Sequence, residues 1–214
     1  MPPACVLFDL DGTLIDHFRA IHRCHTHAMT QLGLPAPTLA QVRAAVGGGV
    51  ELAVERLVGP ALKPAALAIY RPHWDATMLQ DAELLPGARE LLMALRARGI
   101  RTAVFTNKHG PSSRAVCAHL GLAELLDGNF GATDTPWLKP DLAFTQHALT
   151  ALGATAAETV LVGDSPFDVA TAHRGGLGFF GVITGTHTGD ELRAAGADRV
   201  CSGLPEVARE LGLA

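Results

Sequence analysis

The segment FDLDGTL, residues 8–14, places two carboxylates, Asp9 and Asp11, at the end of an apolar run. A nearby pair of carboxylates can divide the work of nucleophile and general acid/base around one metal ion. Such a pair is also common on protein surfaces. It therefore indicates catalysis only if residues elsewhere in the chain complete a site.

Polar side chains that suit phosphate chemistry occur at later points in the chain. Thr106 and Asn107 follow the apolar run RTAVF, Asp164 and Asp168 follow TVLV, and Lys139 stands in LKPD. Carboxylate oxygens are the ligands that Mg²⁺ prefers, and a hydroxyl and an ammonium group can donate to phosphoryl oxygens. The set predicts a phosphate site with a magnesium ion. The simpler alternatives are a helix cap for Asp168 and strand–helix turns for Thr106 and Asn107.

The elements that must position these residues alternate between strands and helices. We predict four buried strands, at Ala4–Phe8, Arg101–Phe105, Thr159–Val162 and Leu177–Ile183. Helical patterns follow, at Asp141–Leu152, Pro166–Arg174, Thr188–Ala195 and Leu204–Leu211. This order predicts an α/β fold with a Rossmann-like parallel sheet, in which ligands bind at the carboxyl ends of the strands.

The connection between the first two predicted strands is far longer than a crossover requires. Residues 16–85 show helical periodicity, with a capping box at Thr38 and Gln41, a helix at Val50–Val58 and another beginning near Pro64. We expect a helical cap domain at 16–85, inserted into a discontinuous core of 1–15 and 86–214. A cap in this position can close over a ligand.

Composition excludes some classes of partner. The chain has 214 residues, 48% of them hydrophobic, and a net charge of −4 without a basic run. We therefore expect no nucleic-acid partner and no membrane partner. The four cysteines form no CxxC motif, so we expect reduced thiols and a cytoplasmic protein.

These motifs and their order resemble those of the haloacid dehalogenase superfamily, in its phosphatase branch with a helical C1-type cap. The resemblance implies that Asp9 attacks phosphorus and that Asp11 protonates the leaving alcohol and later activates water. It implies that Asp9, Asp164 and the backbone carbonyl of Asp11 hold Mg²⁺. By the same resemblance, Asp168 supports the metal shell and Lys139 bridges Asp9 and the phosphate.

Within the superfamily, the sequence is most similar to phosphoglycolate phosphatases. The similarity lies in TNK at 106–108, KPD at 139–141 and the cap stretch VRAAVGGGVELAVERLVG at 42–59. It implies a small phosphorylated metabolite as substrate, with phosphoglycolate as the first choice, and a monomer or homodimer.

The cap sequence supplies further candidates for substrate contact. Gly48 lies in a glycine triplet that faces substrate or merely separates two helices, and His17 lies near the hinge after the first strand. We expect both residues to contact substrate. His22, His25 and His27 crowd one helix, where we expect solvated side chains and no zinc site, because no acidic or cysteine partner is suitably spaced.

Two other functions compete with a phosphatase. A β-phosphoglucomutase-like phosphotransferase would use the same two aspartates, and a non-catalytic binding protein could keep the fold. A dehalogenase proper fits poorly, because hydrolysis at carbon needs no metal and has no use for Asp11, Asp164 and Asp168 together.

Overall fold

A computed structural model describes residues 3–213. Its centre is a parallel sheet of six strands in the order β5-β4-β1-β6-β7-β8. These strands are β1 (Cys5–Phe8), β4 (Arg101–His109), β5 (Gly128–Ala132), β6 (Thr159–Gly163), β7 (Gly178–Val182) and β8 (Val200–Cys201). A separate antiparallel ribbon pairs β2 (Ile15–Asp16) with β3 (Glu83–Leu84). The predicted α/β fold with a parallel sheet is confirmed.

Within residues 3–213, ten α-helices surround the sheet or follow its first strand. They are α1 (Phe18–Gln31), α2 (Leu39–Ala45), α3 (Val50–Val58), α4 (Lys63–Thr77), α5 (Ala88–Ala97), α6 (Gly110–His119), α7 (Leu142–Leu152), α8 (Pro166–Gly175), α9 (Gly189–Ala194) and α10 (Leu204–Glu210). The capping box predicted at Thr38 and Gln41 begins α2, since the Thr38 hydroxyl accepts from the Gln41 amide and the Gln41 side chain accepts in return.

The four predicted strands are present with small shifts at their ends, but several features went unpredicted, among them the two-residue edge strand β8 and the helix α6. β4 continues to His109, past the predicted end at Phe105, with an irregular register against β5. β5 has the sequence GNFGA, whose glycines and asparagine disfavour strands, and it lies at the sheet edge. The ribbon β2–β3 is too short to leave a periodic pattern.

Both faces of β1 are buried, as a parallel sheet requires. Val6 and Phe8 belong to a cluster that includes α5, whereas Cys5 and Leu7 belong to a cluster on the other face that includes α7. All four side chains are fully buried. Burying a large apolar side chain stabilises a fold by roughly 1.5–3 kcal/mol, so this strand is a firm base for the residues that follow it.

The helices α1–α4 lie between β1 and β4 in the chain and have an apolar core of their own. Phe18, Ile21 and Cys24 of α1 pack with Tyr70 and Trp74 of α4. The ribbon β2–β3 brings the two connections to the sheet side by side. A helical insertion at this point in the chain is therefore present, as predicted, while its limits as a domain stay a prediction.

Two further expectations bear on the environment of the chain. All four cysteines are free and buried. Within residues 3–213, no helix combines the length and apolar character needed to cross a bilayer.

Candidate active site

Asp9 and Asp11 lie just beyond the carboxyl end of β1, at the edge of the sheet where the strand sequence predicts a site. The Asp9 amide donates to the carbonyl of Val162 in β6 at 2.9 Å, so the pairing of β1 with β6 continues to Asp9. The two carboxylates are only 13% and 12% exposed. Gly12 follows with φ of +84°, which a residue with a side chain rarely adopts. Both aspartates line the same cavity.

Three carboxylates converge beside the end of β1. Asp9, Asp164 and Asp168 each offer an oxygen within 4.8 Å of the others. Lys139 is buried among them, with its Nζ 2.9 Å from Asp9 Oδ1 and 2.6 Å from Asp168 Oδ1. The structure thus brings together four of the predicted residues from three separate segments of the chain. The ammonium group of Lys139 pairs with two of the three carboxylates.

The excess of negative charge shows in the pKa values. Burial and the charge of Asp168 raise the pKa of Asp9 above its ordinary value, against the opposing effect of Lys139. Burial, together with the charges of Asp9 and Asp168, raises the pKa of Asp164 to about 8. Burial lowers the pKa of Lys139, but its two carboxylate neighbours outweigh burial and raise it. A cation at this cluster would relieve the repulsion.

Asp164 is held by a loop that sequence analysis did not identify. The amide and hydroxyl of Thr186 donate to its Oδ2 at 2.8 and 3.1 Å. A Cβ at Gly185 would lie 1.8 Å from the same oxygen, so only glycine allows this close approach. Thr186 also lines the cavity described below. Its role was not visible because it lies 22 residues beyond Asp164, outside every recognised motif.

Asp168 performs two tasks at once. Its Oδ2 accepts from the amide and hydroxyl of Ser165 at 3.1 and 2.6 Å, which caps α8, and its Oδ1 meets Lys139. The side chain is fully buried. Helix capping and a place in the charged cluster are therefore not alternatives for this residue.

Thr106 and Asn107 both line the cavity described below, but they have different hydrogen-bond partners. Thr106 is buried beside the cavity, and its hydroxyl accepts from the Lys108 amide at 3.2 Å. The Asn107 amide group brackets the peptide of Lys139, accepting from its N–H at 2.7 Å and donating to its carbonyl at 3.1 Å. It also donates to the carbonyl of Gly47 at 3.2 Å. Asn107 thus positions Lys139 and touches the glycine triplet.

Asp11 has partners that sequence analysis did not assign to it. Lys108 Nζ contacts both of its carboxylate oxygens, at 3.0 and 2.8 Å. His17 Nδ1 lies 3.5 Å from Oδ1, and its Nε2 meets the Met78 carbonyl at 2.6 Å. Burial alone would raise the pKa of Asp11, but Lys108 and His17 hold it well below its ordinary value. His17 is fully buried beside Asp11. The prediction that His17 contacts substrate stays a prediction.

A cavity of about 400 Å³ lies over these carboxylates. Its floor includes Asp9, Asp11, Thr106, Lys108 and Asp164, and its other walls come largely from the cap helices, including Ile21, His25, Val46, Val50, Tyr70 and Trp74. Gly47 and Gly49 line it, whereas a Cβ at Gly48 would meet Leu52 and Phe167 instead. The prediction that Gly48 contacts substrate stays a prediction.

One expectation about the cap is wrong. His25 is not solvated: it is 2% exposed and packs against Tyr70, with ring centroids 4.8 Å apart. Burial and the neighbouring His22 lower the pKa of His25 to about 4, so it is neutral at pH 7. The error arose because helical periodicity shows which residues share a face but not which face α4 covers.

Comparisons with known proteins agree with this geometry. The sequence profile described as haloacid dehalogenase-like hydrolase matches residues 6–182. A phosphoglycolate phosphatase of Rhodospirillum rubrum is 37% identical over 186 residues, covering 82% of this chain and 77% of that protein. A protein of Dickeya dadantii named probable phosphatase IndB is 32% identical over 208 residues, covering 94% of this chain and 90% of its own.

Solved structures share the fold over almost the whole chain. A haloacid dehalogenase-like family protein from Streptococcus pneumoniae has a TM-score of 0.88 at 24% identity, covering 96% of this chain and 97% of its own. Protein tyrosine kinase A of Mycobacterium tuberculosis has a TM-score of 0.85 at 27% identity, covering 99% of both chains. Because one fold serves different activities, the site residues must decide the chemistry.

Proposed function

We propose that this chain, which belongs to the haloacid dehalogenase-like hydrolase family and is a phosphatase of phosphomonoesters, uses Mg²⁺ and acts on phosphoglycolate. The observation that carries the proposal is that Asp9, Asp11 and Asp164 line one cavity, while Lys139 and Asp168 complete the charged cluster beside it. Each member of that set has a defined chemical task.

Asp9 acts as the nucleophile. A carboxylate oxygen of Asp9 attacks phosphorus, the bond from phosphorus to the alcohol oxygen breaks, and an aspartyl-phosphate forms. Lys108 and His17 keep the pKa of Asp11 low before substrate binds, so Asp11 first takes up a proton beside the negatively charged phosphate group and then gives it to the departing oxygen. In the second half, Asp11 takes a proton from water, the water oxygen attacks phosphorus, and phosphate leaves with Asp9 restored. Lys139, 2.9 Å from Asp9, and the Thr106 hydroxyl stabilise the charge on the phosphoryl oxygens.

The acidic cluster fits a magnesium ion. Asp9 and Asp164, with the backbone carbonyl of Asp11, would hold the ion, and Asp168 would support the shell through Lys139 or water. Their oxygens are hard ligands, and Lys139 alone does not balance three buried carboxylates. When bound, Mg²⁺ offsets the repulsion between Asp9 and the phosphate group.

Phosphoglycolate is supported as substrate by the relatives that bear the name phosphoglycolate phosphatase, in Rhodospirillum rubrum and Cereibacter sphaeroides. A cavity of about 400 Å³ has room for such a small molecule. We further propose that residues 16–85 move as a cap hinged at the ribbon β2–β3, opening for substrate and closing for chemistry. Four free buried thiols suit a cytoplasmic enzyme, which we propose to be a monomer or homodimer.

Phosphate release from a panel of phosphorylated metabolites, including phosphoglycolate and a chromogenic ester, tests the proposal. We expect turnover that requires Mg²⁺, with the highest kcat/KM for phosphoglycolate. Asp9→Asn should abolish turnover in a folded protein, because an amide is a poor nucleophile. Asp198→Asn, at an exposed position outside the cavity, is the matched control. Full turnover by Asp9→Asn would overturn the mechanism, and a preference for another metabolite would overturn the substrate.

A further inference from the structure

We infer that Lys108 is a specificity residue, which binds the carboxylate carried by the leaving alcohol. The inference rests on the proposed function, since it concerns the group on the far side of the bond that the phosphatase breaks. Lys108 would then explain how a site built from carboxylates accepts a second negative group on its substrate.

The position of Lys108 follows from β4. Thr106 and Lys108 are two residues apart on the strand, and both line the cavity. Thr106 is placed to contact the phosphoryl group. Lys108 Nζ lies 2.8–3.0 Å from the oxygens of Asp11, the residue that meets the leaving oxygen. A group attached one methylene beyond that oxygen therefore arrives next to Lys108.

The surroundings of Lys108 suit an anion. Its side chain is 7% exposed, and Nζ lies 4.5 Å from the ring centroid of Trp74. Trp74 is itself anchored by a hydrogen bond from its Nε1 to Ser112 at 3.1 Å. A buried ammonium group is desolvated, so a carboxylate that pairs with it gains more than it would in water, and a neutral group gains little.

Other basic side chains that line the cavity are poorly suited to this role. Arg71 is 57% exposed and pairs with Glu51. His25 is neutral at pH 7, because burial lowers its pKa to about 4. His109 is exposed, and its Nδ1 is engaged with the Ser112 hydroxyl at 3.0 Å. Among the lining residues that the structure describes, Lys108 is thus the buried cation that a second anion can reach.

The test compares two substrates of similar size, phosphoglycolate and ethyl phosphate, which differ in the carboxylate. The variants are Lys108→Met, Lys108→Arg and the control Lys63→Met, whose lysine pairs with Glu55 outside the cavity. Thermal unfolding confirms that each variant is folded. The quantity of interest is the ratio of the kcat/KM values for the two substrates. Loss of the contact between Lys108 and Asp11 lowers kcat/KM for both substrates, so this effect cancels in the ratio.

In wild type and in Lys63→Met, we expect the ratio to favour phosphoglycolate. In Lys108→Met it should fall by about ten- to a hundredfold, mainly through KM, the range for one hydrogen bond to a charged group. Lys108→Arg should retain much of the preference, since it keeps the charge.

Each other outcome has a defined meaning. If wild type prefers phosphoglycolate and Lys108→Met keeps the same ratio, the inference is overturned and the proposed function stands. If wild type hydrolyses ethyl phosphate but shows no preference for phosphoglycolate, both the proposed substrate and the role of Lys108 fail. A Lys108→Arg variant as unselective as Lys108→Met would also overturn recognition by charge.

Discussion

Replacing Lys139 by methionine is expected to destabilise the protein strongly even when no catalysis is measured. The lysine is buried, and its Nζ lies 2.9 Å from Asp9 and 2.6 Å from Asp168. Methionine fills similar space without charge. The substitution therefore removes the only ammonium group that pairs with Asp9 and Asp168 in the described structure, and it leaves their carboxylates in a buried site.

The magnitude follows from the burial of this network. Removing one partner of a buried ion pair destabilises a protein by about 3–5 kcal/mol, because the remaining charge is left uncompensated. For a protein of this size, each kcal/mol lowers Tm by about 2–4 °C, so the expected fall is about 6–20 °C. Lys63→Met is the matched control: Lys63 is 31% exposed and Glu55 is 40% exposed. Loss of such a surface pair should change stability by only about 0–1 kcal/mol.

Urea unfolding in EDTA at pH 7, followed by circular dichroism, measures the effect without a contribution from metal. Adding Asp168→Asn to Lys139→Met should cost less than the sum of the two single changes, since the two side chains are in contact. A Lys139→Met protein with the same unfolding midpoint and slope as Lys63→Met would refute the argument. So would strict additivity in the double variant.

Four further predictions concern turnover and binding. Asp11→Asn should lower kcat by about 10²–10⁴, because proton transfer to the leaving oxygen is lost. In wild type, Mg²⁺ at a hundred times its Kd should stabilise the fold by about 2.7 kcal/mol, and Asp164→Asn should largely remove this stabilisation. Ca²⁺ should bind at the same site but not support turnover, because the larger ion accepts more ligands and can engage both oxygens of Asp9. Gly48→Leu should alter KM and the ranking of phosphorylated metabolites more than it alters hydrolysis of a chromogenic ester, because the new side chain would push against Leu52 and Phe167 and so shift Gly47 and Gly49, which line the cavity. Asn107→Ala should lower the free energy of unfolding by about 1–3 kcal/mol and should also lower kcat, because the backbone of Lys139 loses its two hydrogen bonds to the Asn107 side chain.

Steady-state kinetics checks the predicted changes in turnover, and thermal shift and urea unfolding check the predicted changes in stability. An Asp11→Asn enzyme as fast as wild type would leave Asp11 without a role in proton transfer. A thermal shift with Mg²⁺ that survives in Asp164→Asn would place the ion elsewhere. Equal losses for all substrates in Gly48→Leu would make the triplet structural. Asn129→Ala, on β5, is the control for Asn107→Ala. Equal effects of the two changes on kcat would contradict the claim that Asn107 positions Lys139 for catalysis.

The sequence by itself determined the sheet and the convergence of the acidic residues. Short apolar runs that end in aspartate or threonine are local patterns, and parallel strands bring their carboxyl ends to one edge. Asp9, Thr106 and Asp164 could therefore be assigned to one site from these patterns alone. The capping box of α2 is likewise decided by residues three apart, Thr38 and Gln41.

Tertiary structure decided the partners of those residues. Lys108 and Asp11 are 97 positions apart, and Trp74 reaches Ser112 across 38 positions. His25 shows the same limit, since its burial depends on where α4 packs and not on the sequence of α1. A pattern along the chain reports on neighbours in one element. Contacts between elements depend on which faces meet, and that is decided by packing of the whole chain.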